Sequence, residues 1–338
     1  MIATRRIGNI QVGPIGLGCM NLSHAYGAPP PAEAAERLLL EALDLGVTLF
    51  DTAALYGFGA NEALLGRVLK PHRERIVLCS KGGMSGQPVG DGGALQRVID
   101  GRPAAIRRDC EDSLRRLQTE CIDLYYLHRW DKRVPIEDSV GEMSRLVERG
   151  HVRALGLSEV SAATLAKAHA VHPIAAVQTE YSPWTRNPEI AVLAACREIG
   201  AAFVAFCPVA RGFLTDAPPD VATLDAKDIR RGMPRFTAAH WAVNQALQEK
   251  AAALAREAGC TLAQLSLAWL LSRAEHVLAI PGTTSPAHLR ENLGAAEVTL
   301  GVAVLERLDA LVNERTVSGG RYSLQSSGEV DTEVFATP

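Results

Sequence analysis

Along the 338-residue chain, short apolar runs alternate with longer amphipathic segments. Eight runs have the length and residue types of strands. They are IGLGC (15–19), TLFDT (48–52), RIVLCS (75–80), CIDLYYLH (121–128), RALGLS (153–158), IAAVQTE (174–180), AAFVAF (201–206) and HVLAIPG (276–282). The segments between them carry apolar residues at helical spacing. AEAAERLLLEALDLG ends on Gly46, placed as a C′ residue. PAAIRRDCEDSLRRL sets Ile106, Cys110, Leu114 and Leu117 on one stripe, with Pro103 near its start. SVGEMSRLVERG and ATLAKAHAVHP follow the same plan.

This alternation predicts an α/β fold whose parallel strands are joined by right-handed crossovers. Eight strands favour a closed (β/α)8 (TIM) barrel spanning residues 1–338 as a single domain; an open eight-stranded sheet is the alternative. Two helical segments, 241–258 and 262–272, lie between the seventh and eighth runs, so at least one helix is extra to a minimal barrel. RRIGNIQVG is expected to form an N-terminal β-hairpin that turns at Gly8-Asn9 and caps the barrel bottom. Two stretches are expected to be irregular: glycine-rich Gly82–Gly101, and Arg211–His240 with its Pro218-Pro219 and Met233-Pro234 pairs. Long loops in a compact fold are more often functional than accidental. The polar tail, about 317–338, is either disordered or draped over the domain.

Composition narrows the class. Hydrophobic residues at 47% and charged residues at 22% form an ordinary globular balance. A net charge of −3 gives no reason to expect nucleic acid or an anionic membrane as partner. The seven cysteines form no C-x-x-C pair. Cys79, Cys110, Cys121, Cys196 and Cys207 sit in or beside apolar segments and are expected as buried, reduced thiols, which fits a cytoplasmic location. MIATRRIGNI has no apolar signal core, and no run approaches membrane-spanning length.

Barrels of this kind carry their chemistry at the C-terminal ends of the strands. Reading those ends gives Asp51 and nearby Tyr56, then Lys81, His128, Ser158-Glu159, Gln178, Phe206-Cys207-Pro208 and Pro281-Gly282-Thr283-Thr284. Each residue has an ordinary reading. Asp51 could cap a helix, Lys81 could be a solvated loop lysine, His128 a rim histidine and Tyr56 a packing aromatic. Together on one rim they make a proton donor: Lys81 would lower the Tyr56 pKa, Asp51 would hold Lys81 charged, and His128 would hydrogen-bond a substrate oxygen. Carbonyl reduction needs that arrangement, with a cofactor supplying hydride. The close pair His169-x-x-His172 is better read as a helix end before Pro173 than as part of a metal site, so no metal is expected.

The chain resembles the aldo-keto reductases. The segments that carry the likeness are IGLGCM (15–20), DTAALYGFGANEALLGRVL (51–69), CSKGG (79–83), SLRRLQTECIDLYYLHRWD (113–131), VERGHVRALGLSEVS (147–161), AVQTEYSPW (176–184), AFCPVARGFL (205–214) and IPGTTSPAHLRENLGA (280–295). LSEVS, AHAVHP and MPRF resemble the bacterial, plant and fungal branch that acts on varied aldehydes and ketones. The resemblance implies a catalytic tetrad of Asp51, Tyr56, Lys81 and His128.

It further implies an extended nicotinamide cofactor across the barrel rim, NADP(H) in preference to NAD(H). Ser158, Glu159 and Gln178 match carboxamide positions, with Glu159 standing where an asparagine is common. Phe206 replaces a stacking tyrosine. Cys207, Pro208, Val209, Arg211, Gly212 and Leu214 match the segment over the pyrophosphate. Gly282, Thr283, Thr284, His288, Glu291 and Asn292 match the adenosine end, where Gly282 and His288 replace a frequent lysine and arginine. Met20, Phe58, Met84, Trp130 and Trp184 are candidate substrate-pocket residues, some of which are expected to pack loops instead. The implied partner is a small carbonyl compound. Alternatives are an NAD(P)-dependent sugar or alcohol dehydrogenase and a nucleotide-sensing regulatory protein. Oligomeric state is not readable.

Overall fold

The computed structural model describes residues 4–23, 25–89 and 94–336. The chain opens with an antiparallel hairpin of β1 (Arg5–Ile7) and β2 (Ile10–Val12) turning at Gly8 and Asn9. Eight parallel strands follow: β3 (Leu17–Gly18), β4 (Leu49–Asp51), β5 (Val77–Gly82), β8 (Ile122–Leu127), β9 (Val152–Ser158), β10 (Ile174–Glu180), β11 (Ala202–Phe206) and β12 (Val277–Ile280). All eight fall within or overlap the runs marked in the sequence. The first and last meet through bridges Ile15–Ala279 and Gly18–Gly282, and Gly16 N–H donates to Ala279 O at 2.8 Å. The barrel is therefore closed, and the open-sheet alternative falls.

Helices α1 (Ala32–Asp44), α2 (Ala60–Leu69), α3 (Pro103–Leu117), α4 (Ile136–Glu148), α5 (Ala162–Val171) and α6 (Val192–Glu198) cover successive crossovers. The last crossover holds α7 (Ala238–Glu257) and α8 (Leu262–Ser272); α9 (Pro286–Gly294), α10 (Val302–Leu311) and the short α11 (Leu324–Gly328) follow β12. The Gly82–Gly101 stretch departs from expectation. It is largely a second antiparallel hairpin, β6 (Met84–Val89) with β7 (Ala94–Ile99); its tip, 90–93, lies outside the described residues. Glycine and Pro88 hid the strand pattern there; a Cβ on Gly86 would meet the Phe58 ring at 2.3 Å, so a larger residue needs that ring to move.

Strand side chains alternate between two cores. Leu49, Val77, Cys79, Leu124, Tyr126, Ala176, Val204 and Leu278 fill the barrel interior, where Ile7 and Val12 of the first hairpin join them. Phe50, Leu78, Tyr125, Val177, Phe203 and Ala279 face the helices. Interior parity carried one step further along β4, β5, β8 and β10 reaches Asp51, Lys81, His128 and Gln178.

Among the cysteines, Cys19, Cys79, Cys110 and Cys196 are buried thiols, as expected for the last three. Cys121 and Cys207 are only half-buried: Cys121 directly precedes β8, and Cys207 borders the rim cavity.

Candidate active site

Asp51, Lys81 and Tyr56 converge at the top of the barrel interior. Lys81 Nζ forms a short ion pair with Asp51 Oδ1 and donates to Thr52 O at 2.9 Å and to Tyr56 Oη at 3.3 Å. The other Asp51 oxygen accepts from Gln178 Nε2 at 2.8 Å. His128 sets its ring edgewise to Tyr56, with centroids 5.8 Å apart and planes at 84°. Thr52 is anchored in turn through Asn61, whose amide reaches Cys19 O and Ser23 Oγ.

Charge in this cluster follows burial and partners. Burial disfavours the Lys81 cation, but Asp51 and Tyr56 outweigh it and raise the lysine pKa above its ordinary value. Burial also dominates at Tyr56. Lys81 pulls the phenol pKa down, as the sequence reading expected, yet the net value lies above the ordinary tyrosine value. Tyr56 is thus held as the neutral phenol, a proton donor, and the expected net lowering does not occur.

A cavity of about 1060 Å³ opens above the cluster. It runs from Asp51, Tyr56 and His128 past Ser158, Gln178, Phe206 and Cys207 to Thr283, Thr284, His288, Glu291 and Asn292 around α9. Pro208, Val209, Arg211 and Gly212 line one side, and Gly282 borders the adenosine-end residues. The volume is at the upper end of small-molecule sites and suits a long ligand better than a small carbonyl compound alone. The backbone amides at the start of α9, with Ser285 as N-cap, offer donors to an anion. The residues present therefore fit an extended dinucleotide. A Cβ on Gly282 would lie 2.8 Å from Asn21 Oδ1, so a larger residue there needs Asn21 to move.

Several sequence-marked residues stand elsewhere. Glu159 is 1% exposed and does not line the cavity; Arg321 grips both of its carboxylate oxygens and Thr332 Oγ1 donates to Oε2 at 2.6 Å. Leu214 is buried beneath the rim. Met20 and Met84 line the cavity, whereas the three aromatic candidates pack outside it. Trp184 stacks on Phe213 at 4.0 Å, Trp130 donates from Nε1 to Val134 O at 2.9 Å, and Phe58 lies over Gly86 with 41% exposure.

Sequence reading missed the rim's ionic cluster. Arg211 pairs with Glu180 at 2.6 Å and also reaches Tyr26 Oη, while Arg321 Nε lies 3.3 Å from the same Glu180. The tail is draped, not disordered, through residue 336: Asp331 Oδ2 accepts from Ser161 N–H, Ser161 Oγ and Thr164 Oγ1, and Tyr322, Ser326 and Glu329 border the cavity. Nothing in a polar, glycine-containing tail signals partners that lie more than 100 positions away. Arg129 was also passed over, although it directly follows a strand-end histidine. Glu159, Cys207, Ala210 and Arg211 all have positive φ, between 49° and 59°. Non-glycine residues in that region carry local strain, which clusters at functional rims.

Residues 14–313 match the Aldo/keto reductase family. A probable aldo-keto reductase from Glycine max is 41% identical over 313 residues, covering 92% of this chain and 89% of the relative. The Schizosaccharomyces pombe aldo-keto reductase yakc, whose name specifies NADP(+), is 41% identical over 326 residues, covering 95% and 94%. This chain belongs to the aldo/keto reductase family. As a family member it is an oxidoreductase on a TIM barrel. Among solved structures, a glycerol dehydrogenase from Gluconobacter oxydans superposes with a TM-score of 0.83 at 28% identity, covering 91% of this chain and 94% of that one. A Klebsiella pneumoniae aldo/keto reductase in complex with NADP and acetate gives a TM-score of 0.71 at 28% identity, covering 96% and 99%. Among the described residues, no helix is long and apolar enough to cross a membrane, and no group of three or more His, Cys, Asp or Glu could hold a metal ion.

Proposed function

We propose that the protein reduces aldehydes or ketones to alcohols with NADPH, and that Tyr56 gives the proton to the carbonyl oxygen. The observation that carries this reading is the contact of Lys81 Nζ with both Asp51 and Tyr56 Oη at the floor of a cavity long enough for a dinucleotide. NADP(H) is supported by the yeast relative's name and by the Klebsiella complex.

A nicotinamide bound there would supply hydride to the carbonyl carbon. Everything else falls to the chain. Tyr56 arrives protonated because burial opposes its ionisation. When it releases the proton, Lys81 stands 3.3 Å away to stabilise the phenolate. Asp51 and Gln178 keep Lys81 charged and aimed. His128, against the edge of Tyr56, offers a ring nitrogen to the substrate oxygen. Ser158, Phe206 and Cys207 line the wall beside them, and Pro208–Gly212, with Thr283, Thr284, His288, Glu291 and Asn292, would hold the rest of the nucleotide.

The likeness to a glycerol dehydrogenase favours a second reading with the same residues. In the oxidative direction Tyr56 takes the proton instead of giving it. Replacing Tyr56 with Phe tests both. Reduction and oxidation should each fall at least about a hundredfold, while NADPH binding, read by fluorescence titration, persists. Near-normal turnover by this variant would remove Tyr56 from the chemistry. Tight NADPH binding by the unaltered protein with no turnover of any aldehyde, ketone or polyol would favour a sensor.

A further inference from the structure

Arg129 borders the cavity immediately after His128. One of its terminal nitrogens, Nη1, donates to His128 O at 2.7 Å and to Ser158 Oγ at 3.1 Å, which fixes the guanidinium beside the catalytic floor. Both partners are neutral acceptors. Among the described residues, no acceptor meets its Nε or Nη2, and no carboxylate stands in ion-pairing range. The neighbouring acids are already committed. Asp51 is paired with Lys81, Glu180 with Arg211 and Arg321, and Glu159 with Arg321, although the Arg129 charge also reaches Glu159 without contacting it. Arg97, another cation bordering the cavity, is paired with Glu329. Arg129 is therefore a held positive charge with donors to spare, and it is near enough to favour an ionised Tyr56.

A half-buried guanidinium with unused donors and no carboxylate paired to it can take a planar, two-oxygen anion in bidentate fashion. The nucleotide phosphates are assigned to the other stretch of the cavity, around Arg211 and the start of α9. We propose that Arg129 forms a subsite for a carboxylate on the carbonyl substrate, so that the enzyme favours oxo-acids and carboxylated aldehydes over neutral ones. The idea rests on the reductase reading and narrows its substrate class.

The test compares para-carboxybenzaldehyde with its methyl ester, using NADPH, in the wild-type protein and in Arg129→Gln and Arg129→Lys. The quantity read is the ratio of kcat/KM for the charged over the neutral aldehyde, within which any general loss cancels. Arg129→Gln should lower that ratio about tenfold or more, and Arg129→Lys should restore part of it. An unchanged ratio in Arg129→Gln would overturn the subsite while leaving the reductase reading intact. Should neither aldehyde react with wild type, the reductase reading fails separately. Calorimetric binding of benzoate to the NADP-loaded proteins then decides the subsite: weaker binding in Arg129→Gln supports it, and equal or absent binding in both proteins removes it.

Discussion

Gln178 Nε2 donates to Asp51 Oδ2 at 2.8 Å, from β10 to β4 on the opposite wall of the barrel. The sequence placed Gln178 against the cofactor; the structure gives its amide to the carboxylate that orients Lys81. Tyr126 meets the same glutamine side chain from below. The Gln178→Ala variant should lower kcat about tenfold, the scale of one buried charge-assisted hydrogen bond. Steady-state kinetics checks this, and a loss confined to KM for NADPH would return Gln178 to a purely nucleotide-binding role.

Reduction should hold through neutral pH and fall on an alkaline limb above the ordinary tyrosine range. Burial raises the Tyr56 pKa, so the proton-donating form persists to higher pH than a free tyrosine allows and is lost as pH rises through the raised value. The linked stability has the same sign: a phenol whose folded pKa exceeds its unfolded pKa contributes fully below the unfolded value and less above it. A rate–pH profile of kcat in the reductive direction should lack any decline between neutrality and pH of about 10.

Removing Arg321 should loosen the tail and destabilise the barrel rim. Arg321→Ala leaves Glu159 buried without its cation, which costs about 3–5 kcal/mol in comparable sites. The loss should appear as a lower Tm. Glu180 gives the pH signature. Burial opposes its charge, but Arg211 and Arg321 prevail and hold its pKa down at about 2. Its contribution is complete above the unfolded value of 4.5 and disappears as pH falls toward 2. Melting curves from neutral to acid pH should therefore show an acid loss in wild type, with a smaller drop in Arg321→Ala.

His288 is exposed on the first turn of α9 and borders the adenosine end of the cavity. His288→Arg adds a permanent cation there without disturbing the core. NADPH affinity should rise about three- to tenfold, more at low salt, with NADH affinity unchanged. Nucleotide titrations at two ionic strengths check it. An equal gain for both nucleotides would mean that position 288 does not face the 2′-phosphate.

The barrel was legible because its strands are buried on both faces and read as continuous apolar runs, such as VLCS in β5 and the DLYYL of β8. Asp51, Lys81 and His128 stood out because each ends such a run with a charge or an imidazole. The hairpin of β6 and β7 was missed because Gly86 and Pro88 interrupt its alternation. Glu159 was misplaced for a different reason. Its strand position is right, but its φ of 57° turns the side chain away from the cavity toward Arg321, a residue 162 positions later. Long-range ion pairs of this kind leave no local mark in sequence. Trp130 and Trp184 show the same limit: a strand-end position fixes where the backbone emerges, not whether the indole turns toward the cavity or a neighbouring loop.

Because inward and outward positions alternate along β5, Lys81 reaches Asp51 only by virtue of an even count of residues from Val77. One residue inserted within that strand would swing the ammonium out toward α3, and no substitution nearby could bring it back. The surrounding loops carry no such parity, so a change in their length leaves the ammonium pointing inward. The interiors of β4, β5 and β8 can change by replacement only.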